Sequence, residues 1–176
     1  MPYNLPTYNT TNISFGPAVV YIGPAGATPD TEVGAVRAGA SIAITRTVTD
    51  VTQGNPPLLV ERFASGEAVE ITFTAIEWNL ENFVKALGAG SVADGTLKFG
   101  GTVGFSDLAL MFRHRTPAGD TYEIRIWKAK PAGTFTIPFS DDIHEFEMTF
   151  NALYSDTDWG GTPLADGEQL LQIVKL

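Results

Sequence analysis

The chain has 176 residues, of which 44% are apolar and 18% charged, and its formal net charge is −9. This length and composition predict one globular domain that buries roughly 70% of its unfolded surface. The negative net charge argues against a protein that binds nucleic acid tightly, because such binding neutralises phosphates with Lys and Arg. The lack of cysteine excludes disulfides, thiolate catalysis and cysteine zinc sites. A membrane span needs an apolar run of about 18 residues, and because no run in this sequence is that long, no membrane partner is expected.

The first half of the chain predicts strands. Residues 1–14 are expected to be a flexible N-terminal arm and residues 15–176 a single β domain, whose first strand lies near residues 15–22. Residues 36–48 and 67–76 then alternate apolar and polar side chains, which predicts two long, half-buried strands. The apolar residues expected in the core are Val36, Ala38, Ala40, Ile42, Ile44 and Val48 in the first and Val69, Ile71, Phe73 and Ala75 in the second.

Residues 49–66 join these two strands and are predicted to be a long loop in an extended hairpin. The segment has the Gly and Pro of a loop, yet Leu58, Leu59 and Val60 follow its two adjacent prolines. Loops run over the surface, where a soluble monomer gains nothing from three large aliphatic side chains. The segment therefore raises the question of what covers it: its own sandwich or another molecule.

The stretch WNLENFVKALG predicts one short helix at about residues 79–88. Asn79 is a good N-cap and Gly88 a good C-terminal stop, while Trp78 and Phe83 occupy the positions of a hydrophobic staple. This helix is expected to pack on the sheet as a lid through one apolar face, formed by Leu80, Phe83, Val84 and Leu87.

Strands resume after the helix. A second hairpin is predicted around the turn PAGD, with Phe112 and Ile124 among its expected partners. Strands are predicted to follow at residues 133–139, at 143–154 with Phe146, Met148 and Phe150 inward, and within residues 168–176. Six to eight strands with one capping helix predict a mainly β fold, either a β-sandwich or a partly open barrel.

No catalytic constellation emerges from the sequence. The histidines, His114 and His144, are expected to be structural or solvated, and no G-x-S-x-G elbow is present. The acidic turn DTDWGG begins like a calcium loop but has Gly167 where a bidentate Glu is required. We therefore expect no enzyme activity, no metal and no cofactor.

Charge is distributed unevenly along the second half of the chain. Five of the eleven basic residues lie within residues 113–130, whereas residues 141–168 contain eight acids and no Lys or Arg. One interpretation is a mixed, solvated surface. The other is complementary patches that pair between copies of the chain, with Arg113, Arg115, Arg125, Lys128 and Lys130 facing Asp141, Asp142, Asp156 and Asp158.

The order of elements resembles a known family. A strand that runs into a short helix (AVEITFTAIEWNLENFVKALG) is followed by hairpins, an aromatic strand (IHEFEMTFNAL) and a terminal strand after a Gly turn (DGEQLLQIVKL). This order is similar to that of the major tail tube proteins of long-tailed, siphovirus-type bacteriophages. The tube proteins of type VI secretion systems share the fold of that family. The resemblance covers most of residues 15–176.

The resemblance implies a virion protein, made in the bacterial host cytoplasm, that assembles into stacked six-fold rings around a hollow lumen. Its partners would be its own copies and other tail proteins such as the tape measure and tail terminator, with genome DNA as non-specific cargo. The long loop would contact the next ring through Pro56, Pro57, Leu58, Leu59 and Val60. Candidate lumen-facing residues are Glu70, Thr72, Thr74, Glu145 and Glu147.

Two alternatives stay open at the level of sequence. A secretion-type tube would have the same architecture and a different cargo. A monomeric β-sandwich that binds carbohydrate or a cell surface would instead have exposed aromatics along a groove and a loop packed on its own core. Of the three tryptophans, only Trp159 is predicted to lie in a loop.

Overall fold

The computed structural model describes residue 16 and residues 18–101 and 104–176. The expected N-terminal arm, the start of the predicted first strand and the side chain of Ala38 lie outside the described part. The elements, in chain order, are β1 (Val19–Pro24), β2 (Thr31–Glu32), β3 (Val36–Gln53), β4 (Leu58–Ala75), α1 (Leu80–Leu87), β5 (Ser91–Ala93), β6 (Thr96–Lys98), β7 (Leu108–Arg115), β8 (Thr121–Ala132), β9 (Phe146–Ala152) and β10 (Gln172–Lys175).

The predicted fold class is confirmed: the protein is mainly β, with one helix in the described residues. Eight strands form one antiparallel sheet in the order β2-β1-β7-β8-β9-β4-β3, with β10 also paired to β8, and β5 and β6 form a separate hairpin. In the described chain the sheet is not closed into a barrel. No helix there is long and apolar enough to cross a membrane.

Strand β8 connects the two layers of the sandwich. Its residues 122–125 pair with β10, whereas residues 129–132 pair with β9, and the register with β7 shifts between Leu108 and Leu110. Strands that change layer at such irregularities form the corners of sandwiches. As a result Phe73 on β4 meets Phe112 on β7 across the core, with ring centroids 6.1 Å apart, although β9 and β8 separate these strands in the sheet.

The helix begins and ends where the sequence predicts. The side chain of Asn79 accepts hydrogen bonds from the backbone N–H groups of Glu81 and Asn82, and Gly88 adopts the left-handed conformation with φ 70°. The staple also forms, because the rings of Trp78 and Phe83 lie 5.6 Å apart. The face turned to the sheet is centred slightly differently from the prediction: its fully buried residues are Asn82, Phe83 and Ala86.

The later strands confirm the predicted hairpin and the two terminal strands. Strands β7 and β8 flank the PAGD turn, and the expected partners Phe112 and Ile124 are opposite one another. The inward residues of β4 and β9 are buried as predicted. Residues 133–139 differ from the prediction, since they form no strand.

The segment expected as a long loop, residues 49–66, is mostly strand. Strand β3 continues to Gln53 and β4 begins at Leu58, so only residues 54–57 form the turn. Three positions expected in the core are exposed. Ala40 lies where the pairing register is irregular between Arg37 and Ser41, whereas Ile44 and Val48 are exposed because β9 pairs with β4 only from Glu70 to Ala75 and the hairpin continues beyond the body. Ile44 is 63% exposed and Val48 44%.

Candidate interaction surface: the projecting hairpin arm

The outer part of the β3–β4 hairpin is the most distinctive surface of the molecule. Every residue from 43 to 68 is exposed, and we call these residues the hairpin arm. Beyond the end of β9, neither strand of the arm has a third strand beside it among the described residues. Seven large apolar side chains are exposed along the arm: Ile44, Val48, Val51, Leu58, Leu59, Val60 and Phe63.

Cross-strand pairing assigns these side chains to faces, because directly opposed residues point to the same side. Ile44, Val48 and Thr52 continue the side on which Ile42 packs against the core, and Leu59 is opposite Thr52. Leu58 and the pair of Thr49 with Phe63 lie on the reverse face. Apolar surface is therefore presented on both faces of the arm.

Two ion pairs separate the apolar residues on the core-side face. Arg46 pairs with Glu67, one step along from Ile44. Arg62 makes a bidentate contact with Asp50, with N–O distances of 2.6 and 2.9 Å, and its hydrogen bonds lower the pKa of the Asp50 carboxyl. Such exposed pairs contribute little stability. They do hold four long or charged side chains in place, which leaves the apolar residues between them accessible.

The predicted contact residues are thus accessible, and the loop does not fold back on its own sandwich. Leu58 is 67% exposed, and Leu59 and Val60 are similarly open. Pro56 and Pro57 lie in the exposed turn at the tip. Their proposed role in contacting another copy stays a prediction.

The candidate lumen residues mostly share one face. Register places Glu70 opposite Asn151, Thr72 opposite Thr149 and Thr74 opposite Glu147, on the outer side of β4 and β9. The Thr72 and Thr149 hydroxyls lie 3.4 Å apart. Glu145 precedes β9 and forms an ion pair with Arg37 on β3, so it lies beside this face but not in the ladder.

The candidate charge pairing between copies must compete with contacts inside the chain. Arg113 and Arg125 both bind Glu123, at 2.8 and 2.6 Å, and Lys128 and Lys130 both contact Asp107. Arg115 is exposed. Among the predicted acidic partners, Asp141, Asp142 and Asp156 are exposed, whereas Asp158 accepts backbone hydrogen bonds from Gly160 and Thr162, which lower its pKa.

Glu123 is a buried charged residue that no sequence pattern indicated, and it is only 4% exposed. Burial raises the pKa of its carboxyl, but hydrogen bonds from Arg113 and Arg125 act the other way and the net pKa is lowered. The ion pair of Arg113 with Glu123 could have been predicted from the hairpin register, because residues at equal distances from the PAGD turn are opposed. Arg113 is directly opposite Glu123. The expected neighbour-to-neighbour role of these arginines is therefore weakened.

The remaining polar features hold structure together. His144 accepts a hydrogen bond from the indole N–H of Trp78 at 3.2 Å.

A hollow of about 430 Å³ lies beyond the end of α1 and is lined mainly by glycine and serine, with Lys98 and Phe99 at its side. No group of three His, Asp or Glu side chains within the described residues is arranged to hold a metal ion.

Comparison with known proteins supplies no family for this chain. No protein-family model matches it, and no curated protein matches it by sequence. The features that bear on its function are therefore the hairpin arm, the outer face of β4 and β9, and the order of the elements.

Proposed function

We propose that this chain is a structural subunit that assembles with its own copies into stacked six-fold rings. The rings form the hollow tail tube of a long-tailed phage, and genome DNA passes through the lumen. Other tail proteins, such as the tape measure and tail terminator, are its further partners in the virion. The observation that carries this proposal is the hairpin arm, which exposes seven large apolar residues that the described part of the chain does not cover.

The energetics favour an arm that is covered in its working state. An isolated two-stranded hairpin is at best marginally stable in water. Burying Leu58, Leu59 and Val60 against a neighbour contributes roughly 1.5–3 kcal/mol each before the costs of ordering and association. Six copies of this contact around each ring add their free energies and so stabilise the stacking of one ring on the next.

The outer face of β4 and β9 is the proposed lumen wall. Glu70, Thr72, Thr74 and Glu147 lie together there. Duplex DNA carries one phosphate charge per about 1.7 Å, so a wall rich in carboxylates and hydroxyls repels the cargo and lets it slide. The overall charge of −9 acts in the same direction.

The competing functions differ in what they require of the arm. A type VI secretion-like tube uses the same architecture and is distinguished by its cargo and by the genes beside it. A monomeric binding module requires the segment after β3 to pack on its own core, and the exposure of Leu58, Leu59 and Val60 disfavours it.

Replacement of Leu59 by Asp tests the proposal. We expect the Leu59→Asp variant to fold as the parent does, because the side chain of Leu59 is solvent-exposed. It should form no tubes, because assembly would bury an unpaired charge in the contact between rings. Electron microscopy and sedimentation over rising concentrations measure both outcomes.

Thr96→Asp is the matched control, because it adds the same charge at an exposed polar position on β6, outside the hairpin arm. It should assemble like the parent. Normal tubes from Leu59→Asp, or a parent that stays monomeric up to millimolar concentrations, would contradict the proposed function.

A further inference from the structure

One segment has the sequence of a strand but no partner strand. Residues 134–139 read Thr-Phe-Thr-Ile-Pro-Phe, an alternation of β-forming residues. Strand β8 ends just before them, at Ala132, and Gly133 takes a φ of 74° that turns the chain away. Residues 134–139 make no backbone–backbone hydrogen bond with the rest of the described chain.

Only one edge of this segment is able to form a complete ladder. In an extended chain the N–H and C=O of a residue point to the same edge, and successive residues point to opposite edges. Residues 134, 136 and 138 share one edge, on which Pro138 lacks an N–H. Residues 135, 137 and 139 form the other edge, and all three have their N–H groups.

The segment is anchored through Phe135 and becomes more exposed toward Phe139, whose ring lies 6.2 Å from that of Trp78. The ring of Phe135 packs 5.2 Å from that of Phe83 on α1. Further along, Ile137 is 40% exposed and Phe139 82%. The inner half of the segment is therefore anchored on α1 through Phe135, while its outer half faces solvent.

A matching free edge exists on the arm. Strand β3 is last in the sheet order, so one of its edges has no partner strand in the described chain. Its pairing is regular over residues 41–53 except at two bulges, and the extra residues there, Val60 and Ser65, are on β4. Natural edge strands are usually protected by charged side chains, especially Lys, by Pro or by their own bulges. Residues 41–53 contain no Lys or Pro, and their two charged side chains, Arg46 and Asp50, are both paired with residues of β4.

We propose that residues 134–139 of one copy add as a strand to the free edge of β3 in the hairpin arm of a neighbouring copy. Main-chain hydrogen bonds through residues 135, 137 and 139 hold the two copies together, as in other cases of strand addition. Ile137 and Phe139 then cover exposed apolar side chains of β3 such as Ile44 and Val48. The inference rests on the proposed function, because it needs copies that assemble.

Two proline substitutions in the full-length chain separate the two edges. Ile137→Pro removes an N–H from the pairing edge, whereas Thr136→Pro removes one from the edge that Pro138 already interrupts. We expect Ile137→Pro to raise the protein concentration needed for tube formation about tenfold or more, since Pro is excluded from paired edges. Thr136→Pro should assemble as the parent does, and both monomers should melt at similar temperatures.

Cysteine cross-linking checks the contact directly, because the chain contains no cysteine. Chains carrying Phe139→Cys are mixed with differently tagged chains carrying Val48→Cys, assembled and oxidised. A disulfide between the two kinds of chain is expected in tubes and not in monomers. If the parent forms tubes but the cysteine variants yield no such disulfide in tubes and Ile137→Pro assembles like the parent, the strand addition alone is overturned. A parent that forms no tubes would overturn the proposed function as well.

Discussion

At the scale of single residues, Glu123 is the side chain with the sharpest electrostatic role. Its carboxylate is almost fully buried and is held by two guanidinium groups, those of Arg113 and Arg125. These contacts bring the pKa of Glu123 below its ordinary value of 4.5 despite the opposing effect of burial. A carboxyl with a lowered pKa in the folded state stabilises the fold above its unfolded pKa, and that stability is lost as the pH falls through the folded pKa.

The Glu123→Gln substitution is expected to flatten the acid limb of the stability curve. In the parent, the free energy of unfolding should decline as the pH falls below about 4.5, because the unfolded carboxyl then binds its proton more readily than the folded one. At pH 7 the variant should be less stable by about 1.5–3 kcal/mol, the usual loss for a hydrogen bond to a charged group. Urea unfolding at several pH values measures both effects.

The exposed carboxyl of Glu32 is a control for this experiment. The Glu32→Gln variant makes the same chemical change away from Arg113 and Arg125, and its unfolding curves are measured beside those of Glu123→Gln. If the curves of the parent and of Glu123→Gln stayed parallel from pH 7 to pH 3, the assigned role of Glu123 would be wrong.

At the scale of elements, the end of α1 depends on glycine for two separable reasons. Gly88 has a φ of 70°, and a Cβ there would lie 2.8 Å from both Phe105 Cδ1 and Pro131 Cγ. Gly95, in the turn between β5 and β6, has the same φ of 70° but no atom within 4 Å of a Cβ. The two positions therefore share the backbone cost and differ in the steric one.

Alanine at each glycine measures these costs separately. We expect Gly95→Ala to lower the free energy of unfolding by about 1–2 kcal/mol, the cost of a left-handed conformation for a residue with a Cβ. Gly88→Ala should cost about 1–3 kcal/mol more, because the added methyl overpacks a site that cannot move freely. Thermal and urea unfolding of both variants report the difference, and equal losses would show that Phe105 and Pro131 give way without cost.

At the scale of the whole molecule, the sign of charge on the outer face of β4 and β9 decides how the tube would treat DNA. The double variant Glu70→Lys, Glu147→Lys should convert this face into one that retains duplex DNA. Binding should weaken with salt, and the logarithmic slope should steepen by about 0.9 for each phosphate newly contacted. Filter binding or fluorescence anisotropy over a salt series provides the measurement.

A matched double variant, Glu32→Lys with Asp166→Lys, makes the same change in net charge at exposed positions away from this face. DNA added to assembled tubes of this control should not be retained in the lumen. Equal retention by both variants would show that net charge matters and that the face of β4 and β9 has no special position.

The sequence alone determined the features that depend on local periodicity and on caps. Alternation identified the buried residues of β4 and β9, and Asn79, Gly88 and the staple of Trp78 with Phe83 defined α1, because these signals depend on neighbours three or four residues away. The PAGD turn likewise set the pairing of β7 with β8. Each of these signals lies within one short window of residues, even where the strands that it describes, such as β4 and β9, are far apart in sequence.

The tertiary structure decided what depends on where a partner strand stops. Ile44 and Val48 have the pattern of core residues, but they are exposed because β9 ends before it reaches them. Residues 133–139 have the pattern of a strand, but Gly133 turns them away from β9 and leaves their backbone unpaired. Alternation reports that a segment is able to pair and to bury one face, whereas only the three-dimensional arrangement supplies the neighbour, and in this chain both exceptions lie on surfaces that a second copy could cover.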